Sequence, residues 1–124
     1  MILIIGGAYQ GKLDYARKTY GVTGEEIFFC QGTAIDFSKR CICGLEEFSL
    51  ACVKEECDPL ERFQDQEPEE MEHILICQDI FCGVVPMEAL SRQWRQETGR
   101  LCQYLSGKAE RVSRIFCGLE QRLK

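Results

Sequence analysis

Met1-Ile2-Leu3-Ile4-Ile5-Gly6-Gly7-Ala8-Tyr9-Gln10-Gly11-Lys12-Leu13 is the stretch that decides the fold. An unbroken apolar run ending in paired glycines reads as a strand buried on both faces. The next segment, Gly11 to Tyr20, carries Leu13, Ala16 and Arg17 at helical spacing, with Gly21 as its stop. A buried strand that turns through glycines into a helix is the local plan of a phosphate-binding loop. The spacing here is G-x4-G-K. Glycines let successive backbone N–H groups turn inward around an anion. The helix N-terminus adds its positive end, and Lys12 can reach the terminal phosphates. Gly6, Gly7, Ala8, Gln10, Gly11, Lys12 and Leu13 are therefore the candidate phosphate-binding residues. Lys12 is the candidate catalytic residue. Leu13 stands where a Ser or Thr usually follows the lysine, so the hydroxyl that would hold magnesium is missing. The competing reading is a glycine-rich turn with an exposed lysine.

Working outward, further buried strands are expected at Ile27–Cys30, Cys41–Leu45, His73–Cys77 and Val112–Cys117. Glu46–Cys57 has helical spacing and stops at Asp58-Pro59. Pro86 is expected to open the longest helix, with Met87, Leu90, Trp94, Leu101 and Leu105 on one stripe. Leu60 to Glu72 is acidic and nearly free of core residues. It reads as the least ordered stretch or a short surface helix. Strands and helices alternate, which predicts one layered α/β domain over residues 1–124 with a mainly parallel sheet.

With 124 residues, 45% of them hydrophobic, the chain can bury one core but not two. The formal net charge of −5 argues against nucleic acid as a partner. Eleven acids lie between Glu46 and Glu72 against Lys54 and Arg62, and they read as solvated faces and an acidic loop. The basic C-terminal third could face a polyanionic small molecule. No apolar run approaches the roughly 20 residues of a membrane span, and the N-terminal run lacks signal-peptide flanks. The expectation is a cytoplasmic protein that does not engage a membrane. Nine cysteines, an odd number without metal-ligand spacing, read as reduced and mostly buried thiols, so no metal site is expected. His73, the only histidine, reads as a strand-entry residue.

Two motifs together resemble a known family, the bifunctional adenosylcobinamide kinase / adenosylcobinamide-phosphate guanylyltransferases of bacterial cobalamin biosynthesis. The opening strand and Gly-Gly-x-x-x-Gly-Lys loop resemble Met1 to Lys12. The family's strand followed by Asn-Glu-Val-Gly-x-Gly-Ile-Val-Pro is similar to Ile74 to Pro86. Its Arg-x-Phe-Arg-Asp-x-x-Gly-x-x-Asn-Gln helix is similar to Arg92 to Gln103, and its late strand and glycine are similar to Val112 to Gly118.

The resemblance implies a three-layer P-loop NTPase-like (RecA-like) domain, ATP or GTP as ligand, a corrinoid partner and a homo-oligomer. It also gives Asp79, Arg92 and Arg95 a ligand-side role. The departures matter equally. The family's guanylylated histidine has no counterpart between Thr33 and Glu72, where the interval from Gly32 to Lys39 looks like a deletion. Cys43 stands where the family's next strand ends in a carboxylate suited to magnesium. The resemblance therefore implies a shortened, catalytically degenerate relative: no guanylyl transfer, and a magnesium site stripped of its ligands. A residual cobinamide kinase and a regulatory or scaffold subunit remain the alternatives.

Overall fold

The computed structural model describes residues 1–8, 10–80 and 88–124. The opening apolar run forms β1 (Ile2–Gly6) in the middle of a six-stranded sheet. The other strands are β2 (Ile27–Phe29), β3 (Cys41–Cys43), β4 (Ile74–Gln78), β5 (Arg111–Phe116) and β6 (Leu119–Arg122), in the order β2-β3-β4-β1-β5-β6. All pairs are parallel except β5 with β6. Register places Ile42, Leu75, Leu3 and Val112 in one row across the sheet, and Cys43, Ile76, Ile4 and Ser113 in the next. Since neighbouring residues of a strand face opposite ways, the two rows feed two cores.

One core lies under α1 (Lys12–Tyr20), where Ala16 packs with Ile4, Ile76 and Ile115. The other lies under α2 (Leu45–Lys54), α3 (Pro59–Gln66) and α4 (Ala89–Lys108), where Phe48, Phe63, Leu101 and Leu105 pack with Leu3, Ile42 and Leu75. Helices on both faces of a mainly parallel sheet make the three layers of a P-loop NTPase-like α/β domain.

Several elements depart from the sequence expectation for identifiable reasons. The acidic stretch after Cys57 is not core-free, because Phe63 and Met71 are buried. Pro59 begins α3, and the Asp58 carboxylate accepts from the Leu60 N–H at 3.0 Å, a capping arrangement that satisfies a free donor. Phe63 then meets Phe37 and Phe48 edge-to-face, with ring centroids 5.6 and 6.3 Å apart. Cys30 lies beyond the end of β2. β3 stops at Cys43, and Leu45 already belongs to α2.

Along α4 the core positions are Thr98, Leu101 and Leu105, while Leu90 is exposed and Trp94 half-buried. Thr98 is tolerated there because its hydroxyl meets that of Ser49 at 2.6 Å and donates to the Trp94 carbonyl at 2.7 Å. Pro86 and Met87 lie outside the described residues. Residues 30–40, which join parallel β2 and β3, contain no helix, although such crossovers usually carry one.

Candidate phosphate pocket

β1 ends at Gly6. A Cβ at Gly6 would sit 2.6 Å from the Ile115 carbonyl, so no side chain fits between β1 and β5. Gly11 precedes α1 in the left-handed region, at φ 88°, which is strained for any other residue. Between them the loop is fixed to the sheet and to the β5–β6 hairpin. The Asp79 N–H donates to the Gly6 carbonyl at 2.6 Å. The Gln10 side-chain oxygen accepts from Cys117 N–H at 2.6 Å, and its backbone carbonyl from Gly118 N–H at 2.9 Å. Gly11 carries no capping side chain, which leaves the first-turn N–H groups of α1 without an intrahelical acceptor.

These features border a cavity of about 470 Å³ at the C-terminal ends of β3 and β4. One wall is Gln10, Gly11, Lys12, Leu13 and Asp14. The facing wall is Cys43, Gly44, Glu46, Ile76 and Gln78. β4 leaves the sheet on one side of β1, and the chain re-enters through α4 as β5 on the other side. Crevices at such switch points are where open α/β sheets bind ligands.

Lys12 lies against its own loop, with Nζ donating to the Gly7 carbonyl at 2.7 Å. Glu46 is the group that sequence reading missed. It falls within the acidic run, yet it is buried and its carboxylate accepts from the Gln78 N–H at 2.8 Å. Its backbone carbonyl accepts from Trp94 Nε1 at 2.8 Å, so α4 steadies the first turn of α2. The available signal was its position: Glu46 follows Cys43 and Gly44 directly into a helix, and the first turn of a helix favours acids. Burial pushes the Cys43 thiol up to about 11. The Glu46 charge adds to that rise and Lys12 opposes it, so Cys43 is a neutral thiol near pH 7.

Of the residues singled out from sequence, Gln10, Gly11, Lys12 and Leu13 line the cavity. Gly6, Gly7 and Ala8 form the strand end and turn that precede it. Asp79 is half-buried at the exit of β4. Arg92 is exposed and Arg95 half-buried in the early turns of α4, and none of these three is among the described lining residues. The segment Phe81 to Pro86 lies outside the described residues, as does Tyr9.

His73 stands at the opposite end of β4, about 16 Å from the cavity by strand rise. Its Nε2 is 2.7 Å from the Phe37 carbonyl and its ring packs edge-on to Phe37. That placement agrees with a strand-entry residue. The described cysteines are free thiols, with Cys30, Cys41, Cys52 and Cys77 buried. Among the described residues no three His, Cys, Asp or Glu side chains are grouped to hold a metal, and no helix is long and apolar enough to cross a membrane.

Comparison with curated proteins returns no match. A family model described as cobinamide kinase / cobinamide phosphate guanyltransferase matches residues 37–123, a region that starts after the glycine loop and runs through β3, α2, β4 and α4 to β6. That match spans well over half of the chain. The chain belongs to the cobinamide kinase / cobinamide phosphate guanyltransferase family of cobalamin biosynthesis.

Proposed function

We propose that the chain binds ATP or GTP through the loop from Gly6 to Lys12, and that it is a catalytically degenerate member of its family. The observation that carries this reading is the left-handed Gly11 opening α1 onto a cavity beside Lys12. Backbone donors and a helix N-terminus bind phosphate without help from Leu13. Lys12 would exchange the Gly7 carbonyl for a phosphate oxygen, a stronger charge-assisted bond. The basic residues of α4, Arg92 and Arg95, extend the site toward a corrinoid, and Asp79 secures the loop beside it.

The residues present do not fit magnesium. Leu13 is apolar, Cys43 is a neutral thiol, and the Glu46 carboxylate is already an acceptor for Gln78. Phosphoryl transfer rests on positioning and charge neutralisation, and Lys12 alone supplies little of the second. Guanylyl transfer is absent in this reading, since His73 lies at the far end of β4. The chain acts in the cytoplasm, as a homo-oligomer, with a nucleotide and a corrinoid as ligands.

A second reading, residual cobinamide kinase, draws on the buried Glu46 carboxylate on the facing wall, which could stand in for the lost acid at Cys43. Calorimetry with ATP and GTP at millimolar concentration tests nucleotide binding. No heat with either nucleotide would end the proposal. Incubation with labelled GTP and denaturation should leave the chain unlabelled; a label lost in His73→Ala would restore guanylyl transfer.

A further inference from the structure

Alternation along β4 points Leu75 and Cys77 into the core under α2 and α4, and Ile74 and Ile76 into the core under α1. On α4, Cys102 lies one turn from Thr98 and one turn from Leu105, so it shares the helix face that packs on that strand. The two thiols meet there. Cys102 Sγ and Cys77 Sγ are 3.7 Å apart in a hydrogen bond, although the residues are 25 positions apart in the chain. Neither cysteine is among the described lining residues of the phosphate pocket.

The two sulfurs differ in access and in acidity. Cys77 is fully buried, whereas Cys102 is only partly covered. With Cys102 ionised, the Cys77 S–H is the donor. That bond draws the Cys102 thiol below its ordinary value, against the opposing effects of burial and of the Asp79 and Glu46 charges. The same contact, with burial, pushes the Cys77 thiol well up. Burial also raises Cys30, Cys41 and Cys52 to about 12 and Cys43 to about 11. The thiolate is the nucleophile, so the pair holds one reactive sulfur and one protonated sulfur in contact with it. An attacking cysteine beside a resolving one is the arrangement of a reversible thiol oxidation site.

We propose that Cys77 and Cys102 form such a site, closed to a disulfide by hydrogen peroxide. The Cys102 thiolate attacks one peroxide oxygen. An S–O bond forms, the O–O bond breaks, and the departing hydroxide takes up a proton to leave as water. The Cys77 sulfur then attacks Cys102 Sγ, the S–O bond breaks, and the second hydroxide leaves as water with the Cys77 proton. Two thiols and one peroxide give one disulfide and two waters. The bond ties α4 to the end of β4, next to Gln78, whose N–H holds the Glu46 carboxylate. It is independent of nucleotide binding.

The test treats the dilute, reduced full chain with millimolar hydrogen peroxide, quenches in acid, alkylates the remaining thiols in denaturant and maps the peptides by mass. A peptide joining Cys77 to Cys102 is expected, lighter by two hydrogens than its two halves, and dithiothreitol should return both thiols. Cys102→Ser should lower disulfide formation at Cys77 at least tenfold, whereas Cys57→Ser should leave the link unchanged. Cys77→Ala, folded by circular dichroism, should leave Cys102 as a sulfenic acid that dimedone labels. The wild-type map decides the bond even where a variant does not fold. Recovery of Cys77 and Cys102 as thiols, a bond from either to another cysteine, or a folded Cys77→Ala without the label on Cys102 would overturn the proposal.

Discussion

The two walls of the pocket are built from different currencies. The loop wall works through backbone: a glycine that no side chain can replace at the end of β1, a left-handed residue before α1, and N–H groups that any sequence with that geometry would present. The facing wall works through side chains at the ends of β3 and β4, where Cys43 is neutral and Glu46 is bound to Gln78. Backbone function survives as long as the fold does. Side-chain function can be lost one residue at a time while the fold persists. In the proposed reading, that difference lets the phosphate loop bind nucleotide without a metal on the facing wall.

The largest effect is expected at Gly6. Gly6→Ala should cost about 1–3 kcal/mol in urea denaturation, through the clash with the Ile115 carbonyl, and should abolish nucleotide binding with it. Gly32→Ala, where nothing lies within 4 Å of the added carbon, should leave both nearly unchanged. Next comes Lys12→Ala, expected to weaken ATP about tenfold to a hundredfold by calorimetry without loss of stability, because it removes a charged donor and keeps the backbone.

Smaller effects belong to the facing wall. The Cys43 thiol is held at about 11, above the ordinary thiol value of 9.0, so the folded chain binds more protons than the unfolded one in between. Its contribution is fully present below pH 9 and is lost as pH rises toward 11. Cys43→Ser should make stability on the order of 1 kcal/mol less sensitive to pH between 8 and 10, read from urea curves at each pH. The smallest expected change is in Glu46→Gln, which keeps an acceptor for Gln78 but removes a negative charge opposite the loop. Metal-free ATP should bind about fivefold more tightly, as expected for relief of one partly screened repulsion.

How legible each region was in the sequence follows the same division. The loop, β1 and α1 were readable because glycine spacing and an apolar run are strong local signals, and the α/β layering followed from alternation. α3 was hidden by charge: nothing in Leu60 to Glu72 announces that Phe63 turns inward between Phe37 and Phe48. β6 escaped because Leu119-Glu120-Gln121-Arg122 has neither alternation nor apolar length, and its pairing depends on the turn at Cys117-Gly118. Leu90 fits the helical stripe yet is exposed, whereas Thr98 breaks the stripe and is buried through its bond to Ser49. Glu46 could not be told from its acidic neighbours because its burial is set by β4 and Trp94, both distant in sequence.

We propose that the loop wall binds nucleotide while the facing wall does not hold magnesium. ATP titrated calorimetrically into the chain with excess magnesium, and again in EDTA, measures this directly. Dissociation constants within about twofold of each other are expected, with both weakened alike by Lys12→Ala. Tightening of tenfold or more with magnesium, lost in Glu46→Gln, would overturn the proposal and show that the facing wall holds the metal.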